Sequence, residues 1–163
     1  NIIPDYAAAR FCIRALDLEY LHDLQRRVVA CFESAAQATG TTVAIHEEGE
    51  KYHPTKCNRA LGALFRANLE ALGERVEQTP EDQDLGSTDV GNVSQVVPTI
   101  HPTIALTDRS EVVCHSAAFA EAAGGAAGDR AMLTASKALA MTAVDLFSCP
   151  EALQTIHQEF DQV

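Results

Sequence analysis

Positive charge is scarce in this sequence. Its 12 lysines and arginines stand against 23 aspartates and glutamates in 163 residues, for a formal net charge of −11. A phosphate backbone is gripped through clustered cations that release its counterions, so no nucleic-acid partner is expected. Long apolar runs are missing as well. None approaches the ~18 residues that span a bilayer, and no basic-then-apolar leader opens the sequence, so no membrane role is expected. The five cysteines (Cys12, Cys31, Cys57, Cys114 and Cys149) are odd in number, widely spaced and without a CxxC pair. Such spacing offers neither a disulfide frame nor a zinc knuckle. It suits reduced thiols buried in apolar surroundings, which points to the cytoplasm. There is no initiator methionine either: Asn1-Ile2-Ile3-Pro4-Asp5 sets an apolar pair at the very start, and reads as the middle of something longer.

What is present suffices for one sizeable core or two small ones, with 47% apolar residues and the charge content of a soluble globular chain. Ala7 to Ile13 alternates loosely and predicts a strand with Arg10, Cys12 and Arg14 on one face. Asp17 is a fair N-cap for an amphipathic helix through Leu18, Leu21, Leu24, Val28, Cys31, Phe32 and Ala35, which stops at Gly40. Thr41 to Ile45 is β-branched and predicts a second strand. Together these make a half-buried sheet with one covering helix, and His53-Pro54 marks a boundary after it.

The pattern then restarts. Leu61, Leu64, Phe65, Asn68, Leu69 and Leu72 predict a helix that begins at Asn58 and stops at Gly73. A loop is expected over 79–84. Strands are expected at Val93–Val97, Thr103–Leu106 and Val112–Cys114, with a turn at Asp108-Arg109-Ser110. Ala117–Ala123 makes a short alanine-rich segment, Asp129 is expected to cap a long helix through Leu146, and Ser148-Cys149-Pro150-Glu151 has the spacing that opens a last helix ending near Phe160. The fold class expected is therefore α/β (α+β).

Chemistry concentrates around Gly86-Ser87-Thr88-Asp89-Val90-Gly91-Asn92-Val93-Ser94, where glycines and small hydroxyl residues surround one carboxylate, with His101 and His115 downstream. Such backbone bends sharply and approaches something closely, as site loops do, although a surface turn fits the composition equally well. Asp89 can ligate metal, orient a ligand or merely cap its turn. His115, expected directly after a strand, suits a metal ligand held at a sheet end, against the commoner role of a hydrogen-bonded structural histidine. Arg14 can fork onto a carboxylate or simply be solvated. His101, between Ile100 and Pro102, is expected to pack its ring into a turn.

Taken together, the residues from Asn1 to Arg14, Gly86-Ser87-Thr88-Asp89, and Cys114-His115-Ser116-Ala117-Ala118-Phe119 resemble the later half of the co-catalytic zinc metallohydrolases that include aminoacylase, carboxypeptidase G and succinyl-diaminopimelate desuccinylase. GSTDVGNVSQVVPTIHP, HSAAFAEAAG and KALAMTAVDLF resemble more specifically the p-aminobenzoyl-glutamate hydrolase and β-alanyl-dipeptide hydrolase branch. The resemblance covers nearly the whole chain. It implies that residues 1–53 are the remainder of a ferredoxin-like lid, a small sheet with helices on one face through which such enzymes form homodimers, and that residues 54–163 are the C-terminal share of the zinc-binding α/β domain. It also implies that His115 is the last metal ligand, that Asn1 and Arg14 hold the substrate's carboxylate or neighbouring carbonyl, and that Asp89 lines the substrate site. The substrate class is a dipeptide or N-acyl amino acid, and the cofactor two zinc ions, with manganese or cobalt acceptable to the same donors. The family's HxD motif, its paired glutamates with the general base, and its lid histidine have no counterpart here. The chain is therefore expected to be the C-terminal portion of such an amidohydrolase and inactive alone, with the missing N-terminal half as a possible partner. The alternative is a non-catalytic dimerisation or small-ligand-binding module derived from the lid.

Overall fold

The computed structural model describes residues 1–77, 86–107 and 112–162. Six helices follow in order: α1 (Leu18–Thr39), α2 (Arg59–Ala71), α3 (Val90–Ser94), α4 (Ala117–Ala123), α5 (Ala126–Ser148) and α6 (Pro150–Gln162). The predicted loop over 79–84 and the turn at 108–110 lie outside the described residues.

Local chemistry accounts for the helix ends. The Asp17 carboxylate accepts 2.6 Å from the Tyr20 amide to open α1, and Gly40 closes it in the left-handed region at φ 68°, where a side chain would be strained. The Asn58 side chain accepts 2.9 Å from the Leu61 amide to open α2. The residue expected to cap α5 does not do so. Asp129 lies inside its first turn and Gly125 occupies the cap, so the carboxylate complements the positive end of the helix instead.

The core forms where α2 crosses α5. Phe65, Leu69 and the fully buried Ala138 make its centre, with Leu72, Val76, Ile100 and Ile104 packed around them. Burying a phenylalanine side chain contributes about 1.5–3 kcal/mol, and the small Ala138 lets the two helices approach closely. Asn68 sits in the same contact and is satisfied there, since its amide donates 3.1 Å to the Thr142 hydroxyl and 2.7 Å to the Asp145 carboxylate. Helix α6 packs on α2 and α5, and α4 on α5. Helix α1 touches none of the other described helices; its Phe32 instead meets Phe11 of the approach segment, ring centroids 5.0 Å apart.

The expected sheets are corrected by the structure. Among the described residues there is no strand, and the only pairing is one parallel bridge between Cys57 and Thr99, so no ferredoxin-like lid sheet is seen. Ala7–Ile13, Thr41–Ile45, Thr103–Leu106 and Val112–Cys114 are non-helical but unpaired. Alternation specifies extended, half-exposed backbone; a ladder also needs a second edge. Val93–Val97 departs further, because Val93 and Ser94 finish α3 and the chain turns after them. A short apolar run fits a helical turn as well as a strand. Nor are the cysteines core thiols: Cys12, Cys31, Cys57 and Cys114 are exposed and Cys149 half-buried, all without disulfides.

Candidate functional site

Asp89 stands immediately before α3, and its carbonyl accepts from the amides of Asn92 at 2.9 Å and Val93 at 3.3 Å. Its carboxylate does not cap the helix. That task falls to Thr88, whose hydroxyl accepts 3.3 Å from the Val90 amide and lies 3.5 Å from the Asp89 carboxylate. The ordinary reason for an aspartate at a helix start is thus removed, and an exposed carboxylate is left available for a ligand.

Helix α3 makes no contact with another described helix, yet it is firmly held. The strap over 51–56 runs alongside, and side chains of α3 satisfy its backbone. Asn92 donates 2.9 Å to the Lys51 carbonyl and accepts 3.0 Å from the His53 amide. The fully buried Ser94 hydroxyl accepts 2.8 Å from the Lys56 amide and donates 2.6 Å to the Gly91 carbonyl. Gln95 donates 2.7 Å to the Pro54 carbonyl. Contact is so close that a Cβ on Gly91 would fall 1.9 Å from the His53 carbonyl oxygen. Only glycine fits there. The His53 Nδ1 is buried in this junction without a hydrogen-bond partner.

His115 lies in the turn before α4 rather than at the end of a strand, and is exposed. Among the described residues it is the one non-glycine with positive φ, at 65°. Left-handed backbone costs a side-chain-bearing residue about 1–2 kcal/mol, and such strain is retained most often where function needs it. Ser116 fixes the turn: its hydroxyl donates 2.7 Å to the Val113 carbonyl and accepts 3.1 Å from the Phe119 amide. Arg14 is likewise exposed, on a non-helical segment and not at a strand end, with its Nε 3.4 Å from the Cys12 sulfur. Asn1 is exposed at the start of that segment. His101 is exposed as well, so its ring does not pack into the turn as expected.

The four candidate residues fall on four different parts of the chain: the first residue, the approach to α1, the start of α3 and the turn before α4. Among the described residues no group of three His, Cys, Asp or Glu side chains could hold a metal ion. One imidazole does not make a zinc centre, which needs three or four donors, so the described residues do not fit the implied pair of ions by themselves. A hollow of ≈ 350 Å³ lies between α5 and Ile104–Leu106, bordered by Glu74, Arg130 and Lys137, and none of the four candidates lines it. No described helix is long and apolar enough to cross a membrane.

Sequence reasoning singled out this loop but not the residues that anchor it. Asn92 and Ser94 read as an ordinary polar ending to a turn, whereas each satisfies strap backbone some 40 residues away in sequence. The sole local signal was Gly91 just before them, a glycine within a helical turn.

No family profile matches the sequence. Two curated proteins do, the Xaa-Arg dipeptidases of Mus musculus and Homo sapiens, each 38% identical over 164 aligned positions that cover 98% of this chain and 37% of the relative. The chain thus spans little more than a third of the length of the curated relatives it matches. Over the stretch that it shares with them, the chain is similar in sequence to these dipeptidases.

Proposed function

We propose that this chain supplies the substrate-holding part of a metal-dependent amidohydrolase that cleaves the amide bond of a dipeptide or N-acyl amino acid. The observation that carries the reading is Asp89, a carboxylate at a helix start that does no capping and stays exposed, in a chain similar over nearly its whole length to dipeptidases. The net charge of −11 suits a substrate with a cationic residue, since a surface of one sign raises the local concentration of ligands of the other. The relatives' name, Xaa-Arg dipeptidase, is consistent with that preference.

In this reading the Arg14 guanidinium forks onto the substrate's terminal carboxylate, as that planar group does best, and the Asn1 amide meets the neighbouring carbonyl. Asp89 lines the same pocket. His115 is one metal donor, its imidazole presented by a strained turn. When bound, a pair of zinc ions, or manganese or cobalt, would polarise the scissile carbonyl and supply a hydroxide nucleophile. This chain then contributes one donor and no general base. Catalysis needs the remaining donors and the proton-transferring carboxylate from the rest of a longer polypeptide, and the division near residue 53 and the homodimer belong to that larger assembly.

Complementation tests the reading. The chain is mixed or co-expressed with the remaining part of one of the matching dipeptidases, and hydrolysis of an aminoacyl-arginine is followed with zinc added. The chain alone gives no turnover and the pair does. His115→Ala abolishes the restored activity, and Arg14→Ala raises KM at least tenfold. Robust hydrolysis by the chain alone overturns the shared centre; undiminished activity of the His115 variant overturns the ligand assignment; a pair that assembles yet never turns over favours the non-catalytic module.

A further inference from the structure

The clasp between α3 and the 51–56 strap reaches the candidate site through one residue. Asn92 is bonded in two directions. Its backbone amide donates 2.9 Å to the Asp89 carbonyl, while its side-chain amide holds the strap at Lys51 and His53 in the manner of a strand neighbour. From the strap to Asp89 there is therefore a continuous path of hydrogen bonds through a single amino acid. Ser94 and Gln95 hold the same strap but do not bond to Asp89; Ser94 turns back to Gly91 and the Gln95 amide proton goes to the Asn92 carbonyl.

Other attachments of this loop are weak. Helix α3 is only five residues long and packs on no other described helix, so its orientation is not imposed by core packing. The Asp89 carboxylate has the Thr88 hydroxyl at 3.5 Å, too long to fix its direction. What holds the turn against the rest of the molecule is the clasp, and the Gly91 contact leaves no slack for it to slide.

We infer that Asn92 is a positioning residue that sets the place of Asp89 by tying its turn to the strap over 51–56. The inference rests on the reading of Asp89 as a substrate-lining carboxylate. A misplacement of the order of 1 Å in such a contact costs up to about a hundredfold in rate or affinity.

The test compares Asn92→Ala, Asn92→Asp and Ser94→Ala. In the complete chain, amide hydrogen exchange is read at Asn92 and Val93, which both donate to the Asp89 carbonyl, and at His53 and Lys56. Asn92→Ala speeds exchange at the His53 and Val93 amides and at residue 92 at least tenfold, whereas Ser94→Ala speeds mainly Lys56. In the complemented enzyme, Asn92→Ala raises KM about tenfold or more with a smaller change in kcat. Asn92→Asp keeps the acceptor for the His53 amide and recovers part of that loss. Ser94→Ala, comparable in its cost to stability, moves KM far less. A purely structural role would move KM equally in Asn92→Ala and Ser94→Ala, and that result overturns the inference. Unchanged exchange at residues 92 and 93 in Asn92→Ala overturns it too, and does so even if the complemented enzyme proves inactive, when it is the functional reading of Asp89 that has failed.

Discussion

The Lys56 ammonium is held twice by Phe160: it donates 2.7 Å to the phenylalanine carbonyl and lies 4.1 Å from the centre of its ring. Lys56 begins the connection into α2 and Phe160 lies near the end of α6, so this pair closes a long stretch of chain. A charge-assisted hydrogen bond and a half-buried cation–π contact together are worth about 2 kcal/mol. Lys56→Met keeps the stem and loses both, and urea unfolding is expected to show a loss of about 1–2 kcal/mol, with the m-value unchanged.

Glu159, one residue earlier, closes the amino end of α2. Its two carboxylate oxygens accept 2.8 Å each from the Arg59 and Ala60 amides, helix donors that have no partner within their own helix. Glu159→Ala removes the acceptor that both amides share at a positive helix end and costs about 1–2 kcal/mol. Glu159→Gln keeps one acceptor and costs less. Thermal unfolding of both variants beside the parent checks the order.

Gly91→Ala is expected to cost about 1–3 kcal/mol, because the new methyl meets the His53 carbonyl and the strap must withdraw. The loss is accompanied by faster exchange at the His53 and Lys56 amides, which lose their side-chain acceptors together. Unchanged exchange at both would show that the strap is held by something other than α3.

His115 separates stability from function. His115→Gly relieves the left-handed strain at φ 65° but gives the unfolded chain more freedom, so stability is expected to stay level or rise by up to about 1 kcal/mol. Activity of the complemented enzyme is lost all the same. Chemical denaturation and an aminoacyl-arginine assay on the same preparation check both halves.

The ends of α1 and the start of α2 were legible because caps are local. Asp17, Asn58 and Gly40 act within one turn of their own position, and their roles follow from nearest neighbours in sequence. Pairing was not legible. The run at Thr41–Ile45 was read as a strand, but nothing in five residues states which edge lies beside it, and among the described residues none does, so the segment stays non-helical and unpaired. The site divides in the same way. Small residues around Asp89 announce a tightly bent loop, yet its anchors depend on partners at Lys51, His53 and Lys56, some 40 positions distant, which no local window contains. The left-handed backbone at His115 was missed as well, although histidine is one of the few side-chain-bearing residues enriched at positive φ.

The strap also redistributes evolutionary freedom. Because two side chains of one short helix and the residue capping it answer its carbonyls and amides, the exposed Tyr52 and Thr55 are free to drift, as surface loop positions do. Constraint moves across to Gly91, Asn92 and Ser94. Across homologues, then, a variable stretch should lie opposite an almost invariant one, and an insertion within 51–56 should be far rarer than one in Glu47–Glu50 just before it.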